Sequence, residues 1–107
     1  MYKKFETEFT KNKFNYSLVK RTNFDKKNVA IYKQTDPETD NVYYEAVVLI
    51  PQEEADRVSF GNIIHYEAKE NYPSSEQWGV NGFTFRDLDK AEIKFNELIE
   101  LINKPKI

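Results

Sequence analysis

The chain has 107 residues, no cysteine and a net charge of −2. The absence of cysteine excludes disulfides, thiol catalysis and zinc sites built on thiolates. The length suits one domain, so we expect residues 1–107 to form a single compact domain. The longest apolar run, AVVLI at 46–50, is too short to cross a membrane, and the N-terminal segment lacks the apolar stretch of a secretion signal. These features predict a cytoplasmic protein that does not contact membranes.

Charge is distributed unevenly along the chain. Residues 1–34 carry nine Lys and Arg against three acidic residues, whereas residues 35–107 carry seven against fifteen. This division predicts either a basic and an acidic face that steer association with a charged partner, or two ordinary solvated surfaces.

The first half of the chain has the patterns of β-structure. YKKFETEFTKN fits a short helix through Tyr2, Phe5 and Phe9, or a strand with alternating side chains, and we favour the helix. FNYSLVKR and KNVAIYKQ alternate on either side of the turn-like TNFD and predict a hairpin. NVYYEAVVLIP is apolar on both faces at its centre, which predicts a central strand that Pro51 ends.

The second half predicts one more strand and a C-terminal helix. QEEADRVSFGN, at 52–62, is typical of a loop or a helical turn, and NIIHYEAKE follows as a candidate fourth strand. Asp87 can cap a helix, Pro105 can stop it, and apolar residues recur between them at helical spacing: Leu88, Ala91, Phe95, Leu98 and Ile102. The predicted fold class is α+β, an antiparallel meander sheet of three or four strands with one C-terminal amphipathic helix packed on a face.

The stretch NYPSSEQWGVNGFTF, at 71–85, joins the sheet to this helix. Ser74 and Gln77 have capping-box spacing and Gly79 suits a left-handed stop, so SSEQWG predicts one helical turn that directs Trp78 inward. The alternative is an exposed aromatic surface. NGFTFRD is similar to the first motif of RNA-recognition domains, but the residues that should follow it differ.

A basic segment at the tip of the first hairpin is a candidate nucleic-acid site. Its cationic side chains could neutralise phosphates, and its one aromatic ring could stack on an unpaired base. The alternative is an ordinary charged hairpin tip, since lysine commonly protects strand edges. The predicted site residues are Lys20, Arg21, Phe24, Lys26 and Lys27.

Catalytic and metal chemistry have little support in the sequence. His65 is the only histidine, and in an apolar strand we expect it to be a packed side chain rather than a base. The alternation of Asp36, Glu38 and Asp40 resembles a calcium loop faintly, but the required glycine is replaced by Asn41. We therefore predict a protein that is not an enzyme and uses no cofactor or metal.

The predicted helix offers a second candidate surface. Ile93 lies almost opposite the apolar stripe, where it either meets a loop or faces a partner. Acidic side chains on the helix could meet a basic partner surface in imitation of nucleic acid. The predicted partner-binding residues are Glu92, Ile93, Glu97 and Glu100.

The segments FNYSLVKR, VAIYKQ, YPSSEQWGVNGFTF and DLDKAEIKFNEL together resemble a group of small proteins from phages and mobile elements. Members of that group share a sheet-forming half, a P-S-x-E-x-W-G turn and a closing helix, and the resemblance extends from about Phe14 to Leu98. It implies a compact protein that acts by stoichiometric binding, often against a host defence nuclease, as anti-CRISPR proteins do. The turn TDPETDN is longer than in that pattern.

Taken together, these features lead us to expect a non-catalytic binding protein. The most specific version of this hypothesis is a phage-encoded inhibitor of a bacterial immune ribonucleoprotein nuclease. Such an inhibitor would act by occupying a surface of the protein or of its guide RNA. The alternatives are an accessory protein that binds RNA or single-stranded nucleic acid, and a small enzyme that uses His65. The expected partner is a host protein or ribonucleoprotein, with RNA as a further ligand, and an open sheet edge would allow a homodimer.

Overall fold

The computed structural model describes residues 2–104 and shows an α+β fold. The predicted class is confirmed, but the predicted number of strands is wrong, because the main sheet has six and a separate ribbon has two. The elements in chain order are β1 (Glu8–Lys11), β2 (Phe14–Arg21), β3 (Asn28–Thr35), β4 (Val42–Gln52), β5 (Ala55–Ser59), β6 (Asn62–Tyr66), β7 (Lys69–Asn71), a 3₁₀ helix (Ser75–Gln77), β8 (Gly82–Phe85) and α1 (Leu88–Asn103).

The main sheet is antiparallel, with strands β1, β2, β3 and β4 in that order. Both β8 and β7 pair with the far edge of β4, the first beside residues 44–47 and the second beside residues 50–52. This arrangement is possible because β4 has 11 residues, whereas β8 has four and β7 has three. The long apolar segment is thus the central strand that its sequence predicts.

Three segments differ from the sequence-based expectations. The N-terminal segment is extended and leads into β1 instead of forming a helix, and the segment predicted as a loop or helical turn contains β5. Pro51 does not end β4, because it pairs with Glu70 of β7. Beyond Leu49, β4 has lost its pairing with β3 and keeps one neighbour, a position where the missing N–H of proline is tolerated. The predicted helix stop at Pro105 lies outside the described residues.

Helix α1 covers one face of the sheet. Ala91, Phe95 and Leu98 are buried against a sheet surface formed by Val29, Ile31, Ala46 and Val48. These sheet residues alternate along β3 and β4, as expected for strands whose side chains point in turn to opposite faces. The apolar stripe of the C-terminal sequence is therefore the packing surface of the helix.

Aromatic side chains fill the opposite face. The N-terminal arm, residues 2–7, starts beside β7 through a bridge between Lys3 and Lys69, and the chain then pairs with β2 at the other edge of the sheet. The intervening residues cross this face, where Phe5 and Phe9 pack edge-on against Tyr32. Phe9 also stacks on Tyr16 with 4.5 Å between ring centroids. The extended arm spans this face and brings both phenylalanine rings into contact with Tyr32, and burial of these rings favours it over a short helix.

The turn around Trp78 closes the same face. SSEQWG forms the predicted helical turn, and Gly79 has the left-handed φ of 91° that stops it. Trp78 is half-buried, and its indole Nε1 donates a hydrogen bond to Thr84 Oγ1 at 3.0 Å. The ring lies so close to Gly82 that a Cβ there would collide with it, which explains glycine at the start of β8.

A buried carboxylate on β7 joins four parts of the chain. Glu70 accepts hydrogen bonds from the two terminal nitrogens of Arg21, both at 2.7 Å, from Asn28 Nδ2 at 2.9 Å and from the backbone N–H of Phe5 at 2.9 Å. The side chains of Arg21 and Glu70 are 10% and 2% exposed. Burial by itself raises the pKa of the Glu70 carboxyl, but these bonds outweigh it and hold the pKa below its usual value.

Replacement of Glu70 tests this junction. Glu70→Gln leaves Arg21 buried without a counter-charge, so we expect the free energy of unfolding at pH 7 to fall by about 3 kcal/mol. The pKa of Glu70 is lower in the folded state than in the unfolded state. The extra stability of the wild type is therefore present above the pKa of an unfolded glutamate, about 4.3, and is lost as the pH falls through the folded-state pKa of Glu70.

Urea denaturation at several pH values measures both effects. Glu97→Gln is the control, because Glu97 pairs with Lys94 at the surface and its loss should change stability by less than about 0.5 kcal/mol. A cost for Glu70→Gln no larger than that of the control would contradict the assigned role.

Candidate partner-binding site

Strands β5 and β6 form a ribbon that leaves the body of the protein. They pair with each other, and within the described residues neither pairs with a strand of the main sheet. The ribbon begins after the end of β4 and leads into β7. Its two ends meet where Gln52 of β4 pairs directly with Lys69 of β7. The radius of gyration is 15.5 Å, against about 13 Å for a compact chain of this length. We call residues 53–67 the finger.

A strained turn forms the tip of the finger. Ser59 and Asn62 are paired, so Phe60 and Gly61 form a two-residue turn with φ values of 51° and 79°. These values are those of a type I′ turn, whose first central position favours Asn, Asp or Gly because other side chains are strained at positive φ. Phe60 is nevertheless there, and it is fully exposed at 102%. Neither the backbone nor packing within this chain explains a phenylalanine at this position.

Large apolar side chains continue along both faces of the finger. Val58 and Ile63 are cross-strand partners on one face, and each is 76% exposed. Ile64 and Tyr66 lie on the other face, where the guanidinium of Arg57 is 5.5 Å from the centre of the Tyr66 ring. An apolar ribbon with no core beneath it is the kind of surface that proteins use for association.

The charged side chains of the finger are mostly acidic. Against the single cation Arg57 stand four carboxylates, those of Glu53, Glu54, Asp56 and Glu67. The finger thus has an apolar tip, and its acidic side chains lie at the end that joins the main sheet.

His65 lies between two of these carboxylates. Its Nδ1 is 2.6 Å from Asp56 Oδ1, and its Nε2 is 3.2 Å from Glu54 Oε1. The hydrogen bond with Asp56, aided by the nearby negative charges, raises the pKa of the imidazole. The side chain is 57% exposed, so the expectation of a packed histidine is wrong. The ring links β5 to β6 across the pair Asp56 and His65.

The five residues of the predicted nucleic-acid site do not form one surface. Arg21 is buried against Glu70, and Lys20 turns toward α1, where its Nζ is 3.5 Å from Glu92 and 4.8 Å from the centre of the Phe95 ring. Lys27 lines a groove at the C-terminal end of α1 with Leu98 and Leu101. Phe24 and Lys26 line a different cleft beside the N-terminal arm, and the buried Arg21 lines that same cleft. The loop therefore divides its basic groups between two sides of the sheet.

The predicted surface on α1 remains accessible in part. Ile93 is 60% exposed, as expected from its position opposite the packed stripe. Glu97 pairs with Lys94 at 2.8 Å, and Glu92 pairs with Lys20. Glu100 is exposed, beside a shallow depression at the end of the helix.

The sequence analysis predicted a strand that begins at β6 but missed β5 and therefore the hairpin that forms the finger. The hairpin is indicated by VSFGNII, in which two strand-like segments flank the dipeptide Phe60-Gly61. A residue followed by glycine between two such segments is typical of a two-residue hairpin turn. Phenylalanine in place of the usual Asn or Asp concealed that pattern.

No protein-family model, curated protein or solved structure matches this chain.

Within residues 2–104, no helix is long and apolar enough to span a membrane, and no three His, Asp or Glu side chains are placed to hold a metal ion together.

The titration of His65 tests the geometry of the finger. We expect NMR of the imidazole to give a pKa above the usual value of about 6.5, and Asp56→Asn to lower it. Because the folded-state pKa is raised, the interaction stabilises the folded finger below the pKa of unfolded histidine and is lost as the pH rises through the folded value. An ordinary pKa that Asp56→Asn leaves unchanged would show that the cross-strand contact does not form.

Proposed function

We propose that this protein is a non-catalytic binding protein that occupies a surface of a protein partner, with the finger as its main contact. The observation that carries the proposal is Phe60, which is fully exposed at a strained backbone position. Strain of this kind costs about 1–3 kcal/mol and is concentrated at functional sites. An exposed aromatic ring at a projecting tip suits an anchor that fills a pocket on a partner.

The charge of the finger favours protein over nucleic acid as the partner. Four carboxylates and one guanidinium would repel a phosphate backbone, whereas they would attract a basic protein surface. The complementary site is an apolar slot for Phe60, Val58 and Ile63 with basic groups around its rim. Both the Phe60 ring and the carboxylates of the finger contribute to recognition of the partner in this arrangement.

The sharpest form of this function is inhibition of a bacterial immune ribonucleoprotein nuclease. Such nucleases hold nucleic acid on basic surfaces, which match the charge of the finger. The mechanism is occupancy, because a bound finger blocks the surface that nucleic acid would use. The resemblance to phage and mobile-element proteins supports the same proposal.

Substitution of Phe60 separates function from stability. Phe60→Asn places the residue that a type I′ turn prefers at the tip, so we expect the finger amides to exchange more slowly with solvent and the unfolding midpoint to stay the same or rise. The same variant removes the anchor and should weaken partner binding at least tenfold, since anchors of this kind contribute about 2 kcal/mol or more.

An affinity pull-down from a bacterium with its own immune systems measures this effect, with and without nuclease treatment of the lysate. Ile93→Asn is the comparison variant, because it removes an exposed apolar side chain from the alternative partner-binding surface on α1. A protein captured by the wild type and by Ile93→Asn, but not by Phe60→Asn, is the expected result. Loss with Ile93→Asn alone would move the contact to the helix surface and overturn the role of the finger.

A further inference from the structure

A second potential binding site lies apart from the apolar tip of the finger. A cleft of about 480 Å³ opens between the N-terminal arm and the loop that joins β2 to β3. Its size falls in the range of sites that hold small molecules. Tyr2 and Lys4 line it from the arm, Phe24 and Lys26 from the loop, and the Arg21–Glu70 pair with Asn28 from below.

The side chain of Asn28, on the floor of the cleft, is fully engaged in hydrogen bonds within the protein. Asn28 is buried, and its side-chain amide donates to Glu70 and to the backbone oxygen of Phe24 while its Oδ1 accepts from Thr22 Oγ1. These bonds hold the loop in one conformation over the sheet. The position of Phe24 is thus set before a ligand arrives, which lowers the entropic cost of binding.

The cleft has the charge and the aromatic surface that a nucleotide requires. Lys4 and Lys26 are exposed cations on two separate segments, and Asp25 is the carboxylate beside them that Arg21 does not neutralise. Of the five N–H groups of Arg21, three donate to acceptors within residues 2–104, two to Glu70 and one to the backbone oxygen of Thr22. Phe24 lines the cleft and is 41% exposed, so part of its ring is accessible to a ligand there.

We propose that this cleft binds a nucleotide, with the phosphate between Lys4 and Lys26 and the base against the ring of Phe24. Lysine and arginine donors are the usual partners of phosphate, and stacking on an aromatic ring accepts any base. The nucleotide is either free or the terminal residue of an RNA strand. This site does not depend on the proposed role of the finger, since it uses other residues and the opposite charge.

A pair of adjacent lysines provides the test. Lys26 lines the cleft, whereas Lys27 lines the groove beside α1, so Lys26→Gln and Lys27→Gln change the net charge equally at different sites. NMR titration with adenosine monophosphate should perturb the backbone amides of residues 22–28 and of the arm in a saturable manner. We expect Lys26→Gln to weaken binding about tenfold and Lys27→Gln less than about twofold.

Further ligands separate phosphate recognition from stacking and identify the source of the nucleotide. Adenosine should bind much more weakly than its monophosphate, and Phe24→Leu should weaken the monophosphate while leaving inorganic phosphate unaffected. A short RNA with a 5′-phosphate that binds more tightly than adenosine monophosphate would indicate an RNA terminus, and one that binds more weakly than the monophosphate would indicate a free nucleotide.

Two results would overturn the proposal. One is the absence of saturable perturbations at the cleft with every one of these ligands. The other is an equal loss of affinity for Lys26→Gln and Lys27→Gln, which would show general attraction to a positive surface.

Discussion

The carboxylate of Glu70 is the constraint on which the arrangement of this protein depends. It lies on a strand of three residues, yet it binds the end of β2, the start of β3 and the N-terminal arm at the same time. A buried ion pair is stable only when its remaining donors and acceptors are satisfied, and here the amide of Asn28 and the N–H of Phe5 complete the set. The Arg21–Glu70 pair thus holds the N-terminal arm over the aromatic face of the sheet. It also forms the floor of the cleft below the loop that joins β2 to β3.

Both candidate sites follow from this junction. Glu70 lies next to Lys69, the residue at which the chain returns from the finger, and the hydroxyl of Tyr2 on the arm donates to Glu53 at the base of the finger. Arm, cleft and finger base therefore share one end of the sheet. The finger presents apolar and acidic groups, whereas the cleft presents lysines and a ring, so the two sites suit ligands of opposite charge.

Local patterns predict the parts of the fold that pack against a core. The alternation of β2 and the helical repeat of α1 follow from the burial of one side of each, and the continuous apolar run of β4 follows from the burial of both its faces. The finger has no such buried side, so the sequence predicts a strand at β6 but neither β5 nor the pairing of the two strands. The sequence also does not show how the basic side chains of the β2–β3 loop are divided, because Arg21 and Lys20 pair with acidic residues 49 and 72 positions further along the chain, beyond the reach of a local pattern.

Excision of the finger tests most directly whether it is a binding element built onto an independent fold. Gln52 and Lys69 are direct partners in an antiparallel pair, so an Asn-Gly turn in place of residues 53–68 would close β4 onto β7. We predict that this shortened protein keeps the unfolding midpoint of the wild type within a few degrees but no longer captures the protein partner in the pull-down. Retention of the partner by a folded protein without the finger would contradict the account, because the contact would then lie elsewhere on the sheet or helix.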